Sequence, residues 1–188
     1  MKTWIRSLGA SLRMLAVATV VLGVAYPLFG LAAGLVFPHQ AEGSLITVDG
    51  KVVGSSLLGQ DFTGNEWFHG RPSASNYDGL ASSASNLGPN NPDLVAAIKQ
   101  RIADVAALEG VAPAAVPADA VTASASGLDP QISVAYAELQ VPRVAAARGL
   151  SEERVRELVA DATTGRGLGM LGEPAVNFMT LNAALARE

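Results

Sequence analysis

The feature that most constrains this chain is a run of 24 residues, 14–37, without one charged side chain. As a helix rising 1.5 Å per residue, the run would span roughly 36 Å, against about 30 Å of bilayer hydrocarbon. Ten of its residues are Leu or Val and two are Phe, a summed insertion preference of order −5 kcal/mol. A cleaved signal peptide is the rival reading, since a basic stretch precedes the run and Gly30-Leu31-Ala32 is a passable cleavage site. A signal sequence, however, needs only about 7–15 apolar residues, so the run reads as a permanent single transmembrane helix.

The flanking charges give its direction. Lys2, Arg6 and Arg13 precede the run, whereas the first charge after it is Glu42. The positive-inside bias then places a basic N-terminus (residues 1–13) in the cytoplasm and the body (residues 38–188) outside the cell membrane. From Glu42 onward there are 10 basic and 17 acidic residues, a net of −7, which gives no support to nucleic-acid binding. Pro27 is expected to kink the span, and Gly30 with Gly34 forms a G-x-x-x-G face that lets a partner helix approach closely.

The 150-odd residues outside are enough for one domain. With no cysteine and only His39 and His69, the chain has no disulfide framework, thiol nucleophile or multi-histidine metal site. Residues 45–53 read as a β-hairpin turning at Asp49-Gly50. Residues 54–91, rich in Gly, Ser, Asn and Pro, read as a long loop of the kind that carries function. Asn91, Pro92 and Asp93 open a helix with Leu94, Val95, Ile98, Ile102 and Val105 on one stripe and Gly110 at its end. A Pro/Ala linker follows over 111–118. Asp129-Pro130 is expected to open a second helix towards Gly149, broken or bent at Pro142. Ser151 is expected to cap a third, with Val155, Leu158, Val159 and Ala162 inward, stopping near Gly165. The tail, 175–185, starts strand-like and ends in a short helical turn. The fold class is therefore α+β behind a membrane anchor.

Catalytic signatures are thin. Gly167 to Gly172 matches G-x-G-x-x-G, yet the dinucleotide fingerprint needs a strand before it and a helix after it. A predicted helix precedes this one and Glu173-Pro174 follows, so it reads as a flexible turn. His69, Arg71 and Ser73 lie together in the long loop, where a lone histidine is usually a packing or surface residue. Ser124, Ser126 and Asp129 fit backbone capping before a helix, and Asp119 fits a turn or cap. Arg143 and Arg148 are expected to form exposed ion pairs worth little. No catalytic residues, metal ligands or covalently bound cofactors are expected.

The residues nevertheless fall in a familiar order. Gly54-Ser55-Ser56-Leu57-Leu58-Gly59-Gln60-Asp61-Phe62 and Trp67-Phe68-His69-Gly70-Arg71-Pro72-Ser73 are followed by Ser85-Asn86-Leu87-Gly88-Pro89. The most specific stretch runs from Val116-Pro117-Ala118-Asp119 to Ser126-Gly127-Leu128-Asp129-Pro130-Gln131. Gln140, Arg143-Val144-Ala145, Arg148-Gly149, Gly172-Glu173-Pro174, Val176-Asn177 and Leu181-Asn182 complete it. Over nearly its whole length the chain resembles the C subunit of the Kdp potassium-transporting ATPase. Ala125 stands where that family usually has Gly, Gln131 where it has His, and Ser83-Ala84 where it has a Gly pair.

The resemblance implies a non-catalytic subunit that assembles a high-affinity, ATP-driven potassium importer and raises the ATP affinity of its hydrolysing subunit. It also implies three partners: a channel-like potassium-binding subunit, an ATP-hydrolysing P-type subunit and a small single-span subunit. ATP and potassium would belong to the complex, and the Asp-Lys-Thr-Gly phosphorylation motif is missing from this chain. The family proposal of nucleotide contact falls on Gln140. Gln60, Arg71, Ser73, Asn86, Asp119, Ser126, Asp129, Arg143, Asn177 and Asn182 become interface or structural positions. An external body cannot reach cytoplasmic ATP, so the charge pattern favours an indirect effect. The alternative is a membrane-anchored extracytoplasmic binding module or hydrolase unrelated to transport.

Overall fold

The computed structural model describes residues 2–188, so Met1 of the basic N-terminus lies outside the described residues. The chain divides into two compact units, 1–44 and 45–188.

The first unit is helical. Helix α1 (Lys2–Val20), a π-helical turn (Val21–Ala25) and helix α2 (Tyr26–Val36) follow one another without a break. Thr3–Val36 is long and apolar enough to cross a membrane. Helicity therefore begins well before the apolar run, through the basic residues. The π turn lies just before Pro27, whose missing N–H leaves the Gly23 carbonyl without its ordinary helical partner, and the Tyr26 N–H reaches back five residues to the Val21 carbonyl. A short helix α3 (Pro38–Ala41) follows.

The second unit is the α+β domain. Strands β1 (Leu45–Val48) and β2 (Lys51–Ser55) form the expected hairpin, with Asp49 at φ 50° and Gly50 at φ 75° in its turn. Helix α4 (Pro92–Glu109) is capped by the Asn91 side chain, which accepts from the Asp93 N–H at 2.8 Å, and ends at Gly110 with φ 67°. Ile98, Ile102 and Val105 of its stripe pack against the core, whereas Val95 is exposed. The Pro/Ala linker folds into two 3₁₀ turns, Pro113–Ala115 and Ala118–Ala120.

One expectation is corrected and two are sharpened. The second helix does not open at Asp129-Pro130. Asp129 accepts from the Gln131 N–H at 3.0 Å in a local turn, strand β3 (Gln131–Ser133) intervenes, and Ser133 caps helix α5 (Val134–Arg148). Helix α5 runs through Pro142 unbroken. Both Pro142 and Glu138, whose carbonyl loses its partner, are exposed, so water can satisfy that carbonyl. The tail starts as a strand and ends helical, as expected, with strand β5 (Ala175–Asn177) leading into an eight-residue helix α7 (Phe178–Leu185) that is buried on nearly every side.

Helix α6 (Glu152–Asp161), capped by Ser151, is followed at once by a strand missed in the sequence, β4 (Thr163–Thr164). The sheet order is β3-β5-β4, antiparallel throughout. Ile132 of β3 and Val176 of β5 point into the core formed by α5, α6 and α7. The G-x-G-x-x-G stretch joins β4 to β5. A strand follows it where the fingerprint needs a helix.

Candidate functional site

The long loop, residues 56–91, contains no helix or ladder strand, so its buried backbone needs side-chain partners. Two amides supply them. Asn182 on α7 accepts from the Phe68 N–H and donates to the Phe68 carbonyl, both at 2.9 Å. Gln140 on α5 accepts from the His69 N–H at 2.7 Å and donates back to the His69 carbonyl at 3.2 Å. Consecutive loop residues are thus held as a strand neighbour would hold them. Both amides are almost wholly buried, and the Phe68 ring is fully buried between them and the core.

Arg143, one turn beyond Gln140, completes the clamp. Its guanidinium donates to the carbonyls of Asn65 and Trp67 at 2.7 and 3.0 Å and to Gln140 Oε1 at 2.8 Å. Its Nε reaches both carboxylate oxygens of Glu109 at 3.0 Å. The exposed pair expected for Arg143 is instead a buried one, with side chains 7% and 1% exposed. Burial pushes the Glu109 carboxyl above its usual range, against the opposing pull of Arg143. Arg148, by contrast, has no acidic partner among the described residues. It donates to the carbonyls of Glu66 and Leu185 at 2.8 and 2.9 Å, and its guanidinium lies 4.2 Å from the Trp67 ring centre.

The other half of the loop is tied to the segment 119–129. Ser73 Oγ donates to the Gly127 carbonyl at 2.7 Å and accepts from the Tyr77 N–H at 2.9 Å. Its hydroxyl proton is therefore engaged by that carbonyl. Gly127 has φ 70°, and a Cβ there would lie 2.5 Å from Ser75 Oγ, so only glycine lets the two segments meet. Ser124 and Ser126 accept from the N–H groups of Gly127 and Leu128. Asp119 accepts from both the N–H and the hydroxyl of Ser133. Asn177 caps α7 and donates to the Ser56 carbonyl. Arg71 pairs with Asp129 at 3.2 Å. Asn86 and Gln60 are exposed.

Two of the concavities beside the clamped loop differ sharply in character. One, about 300 Å³, is polar and lined by Asp61, His69, Arg71, Tyr77, Arg101 and Asp104 among others. His69 bonds the Gly64 carbonyl at 2.9 Å, and burial holds its imidazole below the usual histidine value. Burial likewise pushes the Tyr77 and Tyr136 phenols up. The second, about 220 Å³, is apolar, with Ile46, Val53, Phe62, Trp67 and Met179 in its walls and Gln60 beside them. Among the described residues no group of three or more His, Asp or Glu is placed to hold a metal. Gly30 faces open space, whereas a Cβ on Gly34 would meet Ala41 of α3 at 3.4 Å.

Glu109 was not singled out in the sequence. Glu109 looks like an ordinary helix-end residue, and its partner lies 34 positions away.

The class so defined is a compact α+β domain joined to an apolar helix of membrane-spanning length, its distinctive polar residues spent on holding one loop in place. Residues 8–187 match the family described as KdpC, the K+-transporting ATPase c chain, and the chain belongs to that family. It is 54% identical over 183 residues to the potassium-transporting ATPase KdpC subunit of Kineococcus radiotolerans, covering 96% of this chain and 93% of that one. The subunit of the same name from Sorangium cellulosum is 56% identical over 179 residues, 93% and 94% of the two chains. That from Mycobacterium tuberculosis is 50% identical over 186 residues, 97% and 98%.

Proposed function

We propose that this chain is an accessory subunit that assembles an ATP-driven potassium importer. Its helix anchors it with the N-terminus in the cytoplasm and the domain outside, beside a channel-like potassium-binding subunit, an ATP-hydrolysing P-type subunit and a small single-span subunit. The observation that carries this reading is the amide clamp. Gln140, Arg143 and Asn182 make a long loop rigid, and a rigid loop surface loses little conformational entropy when a partner binds it.

The same observation bears on the ATP-affinity effect. Gln140 is wholly buried and its amide is engaged at both ends, so a nucleotide would have to unmake the clamp to reach it. The effect on ATP affinity is therefore proposed to pass through the assembled complex, as coupling between distant sites.

The test is co-purification. The chain, tagged at its C-terminus and extracted in mild detergent from potassium-starved cells, is expected to bring down a P-type ATPase chain and a channel-like chain in fixed ratio. Recovery of the chain alone would overturn the assembly role. Photo-crosslinking with an azido-ATP within the complex is expected to leave α5 unlabelled, and label on that helix would overturn the indirect route.

A further inference from the structure

The polar cavity beside the clamped loop has no part in anchoring or assembly, and its buried groups are under-bonded. Tyr136 on α5 lines it and is only 3% exposed, yet its hydroxyl makes no hydrogen bond among the described residues. A buried hydroxyl without a partner costs free energy unless something enters to bond it. Arg71, also in the wall, is held loosely. Its side-chain hydrogen bonds run from 3.2 to 3.5 Å, against 2.7 to 3.0 Å for Arg143. Its Nε is buried with no partner. In the same wall Asn76 and Tyr77 have φ angles of 51° and 58°. A left-handed tyrosine is uncommon, and such strain gathers at binding sites.

We propose that this cavity binds a small zwitterion of the α-amino acid type, its carboxylate inward and its ammonium outward. The order of charge across the wall selects that class. Two arginines and two aspartates line the cavity. Arg71 and Arg101 are half-buried, whereas Asp61 and Asp104 are exposed. Arg101 donates to the Val121 carbonyl at 3.1 Å and has no ion-pair partner among the described residues. Its remaining N–H groups and the Tyr136 hydroxyl are donors for a carboxylate. Asp61, together with the Asp104 oxygen that Gln100 leaves unused, supplies acceptors for an ammonium. The His69 ring, kept neutral by burial, adds no charge. A plain anion would meet the outer aspartates, and a plain cation the inner arginines. The volume, about 300 Å³, is that of a small-molecule site.

The test is ligand-observed saturation-transfer NMR on the full-length chain in detergent. The probes are L-serine, L-glutamine and L-leucine, with acetate and methylammonium as the two half-molecules. At least one amino acid is expected to bind saturably, and at least about tenfold more tightly than either half-molecule. Tyr136→Phe removes only an unbonded hydroxyl, so it is expected to leave the melting temperature unchanged and weaken amino-acid binding about tenfold. Asp61→Asn, at an exposed position, is expected to weaken amino-acid binding while leaving acetate binding equal or stronger. Absence of saturable binding by all three amino acids would overturn the proposal. So would acetate binding as tightly as the best of them, binding indifferent to Tyr136→Phe, or acetate and amino acid weakening together in Asp61→Asn. Because the chain alone is used, the outcome is separable from that of the assembly role.

Discussion

At the scale of single residues, the buried Arg143–Glu109 pair is the most exposed to test. Its two charges are 7% and 1% exposed, and removing one member of such a pair leaves the other uncompensated, at a cost of about 3–5 kcal/mol. Glu109→Ala is therefore expected to lower the unfolding free energy by about 3 kcal/mol. The three remaining acceptors of Arg143 place the loss at the lower end of that range. Replacing both partners with apolar residues should cost much less than the sum of the single losses, as a double-mutant cycle in denaturant would show. An additive cycle would mean the pair is not coupled. His69 gives the pH dependence. Burial, aided by Arg143, outweighs the Gly64 carbonyl, Asp61 and Glu66, and leaves the folded value below the unfolded 6.5. The neutral ring is thus the form the fold prefers. The stability it contributes is complete above about pH 6.5 and is lost as pH falls through the lower, folded value. His69→Gln should flatten the stability profile between about pH 7 and 5, and an unchanged slope would assign acid sensitivity to other groups.

At the scale of elements, the two glycines of α2 are no longer equivalent. A Cβ at position 30 has nothing within 4 Å among the described residues, while one at 34 meets Ala41. Gly30→Leu is expected to reduce recovery of the complex with no change in the isolated chain's melting temperature, whereas Gly34→Leu also perturbs the α2–α3 junction. Undiminished complex yield from Gly30→Leu would remove position 30 from any partner interface. What the sequence made legible at this scale follows the same local logic. The start and end of α4 are written in Asn91, Pro92 and Gly110, and the β1–β2 turn in Asp49-Gly50, because each device acts within a few residues. Asp129-Pro130 misled because an Asp before a Pro has the form of a helix cap, yet its carboxylate serves a turn two residues on, and the cap falls to Ser133. The full length of helix α7 was hidden for the opposite reason. Phe178, Met179, Leu181, Asn182, Ala183 and Leu185 are all buried, so there is no polar face to set a helical period. Strand β4 is two residues long and leaves no pattern. The clamp was half legible: Gln140, Arg143 and Asn182 were marked, but their common target, the backbone of residues 65–69, carries no signal in side-chain identity.

For the whole molecule, the membership of a potassium-transporting ATPase family and the charge distribution bear on each other. The residues from Glu42 onward carry a net charge of −7, and several of their cations are already committed: Arg143 to Glu109, Arg154 to Glu157 and Glu188, Arg156 to Glu138 and Glu152, Arg166 to Glu173. Pairing leaves the excess of carboxylates to act as a diffuse field. In the proposed arrangement, with the domain outside the membrane beside a potassium-binding partner, that field would raise the local concentration of monovalent cations without any ligated site. Such a contribution has a recognisable signature, because it acts through space that mobile ions screen. The screening length is about 10 Å at 0.1 M salt and about 3 Å at 1 M. The apparent potassium affinity of the assembled complex is therefore expected to weaken as choline chloride is raised across that range, with the maximal rate unchanged. Neutralising exposed acids, such as Glu153 and Asp161, should reproduce part of the weakening at low salt and reduce its further dependence on choline chloride. A potassium affinity indifferent to both would confine the domain's contribution to assembly, since rigid apolar and hydrogen-bonded contacts of the kind that hold the loop respond to neither.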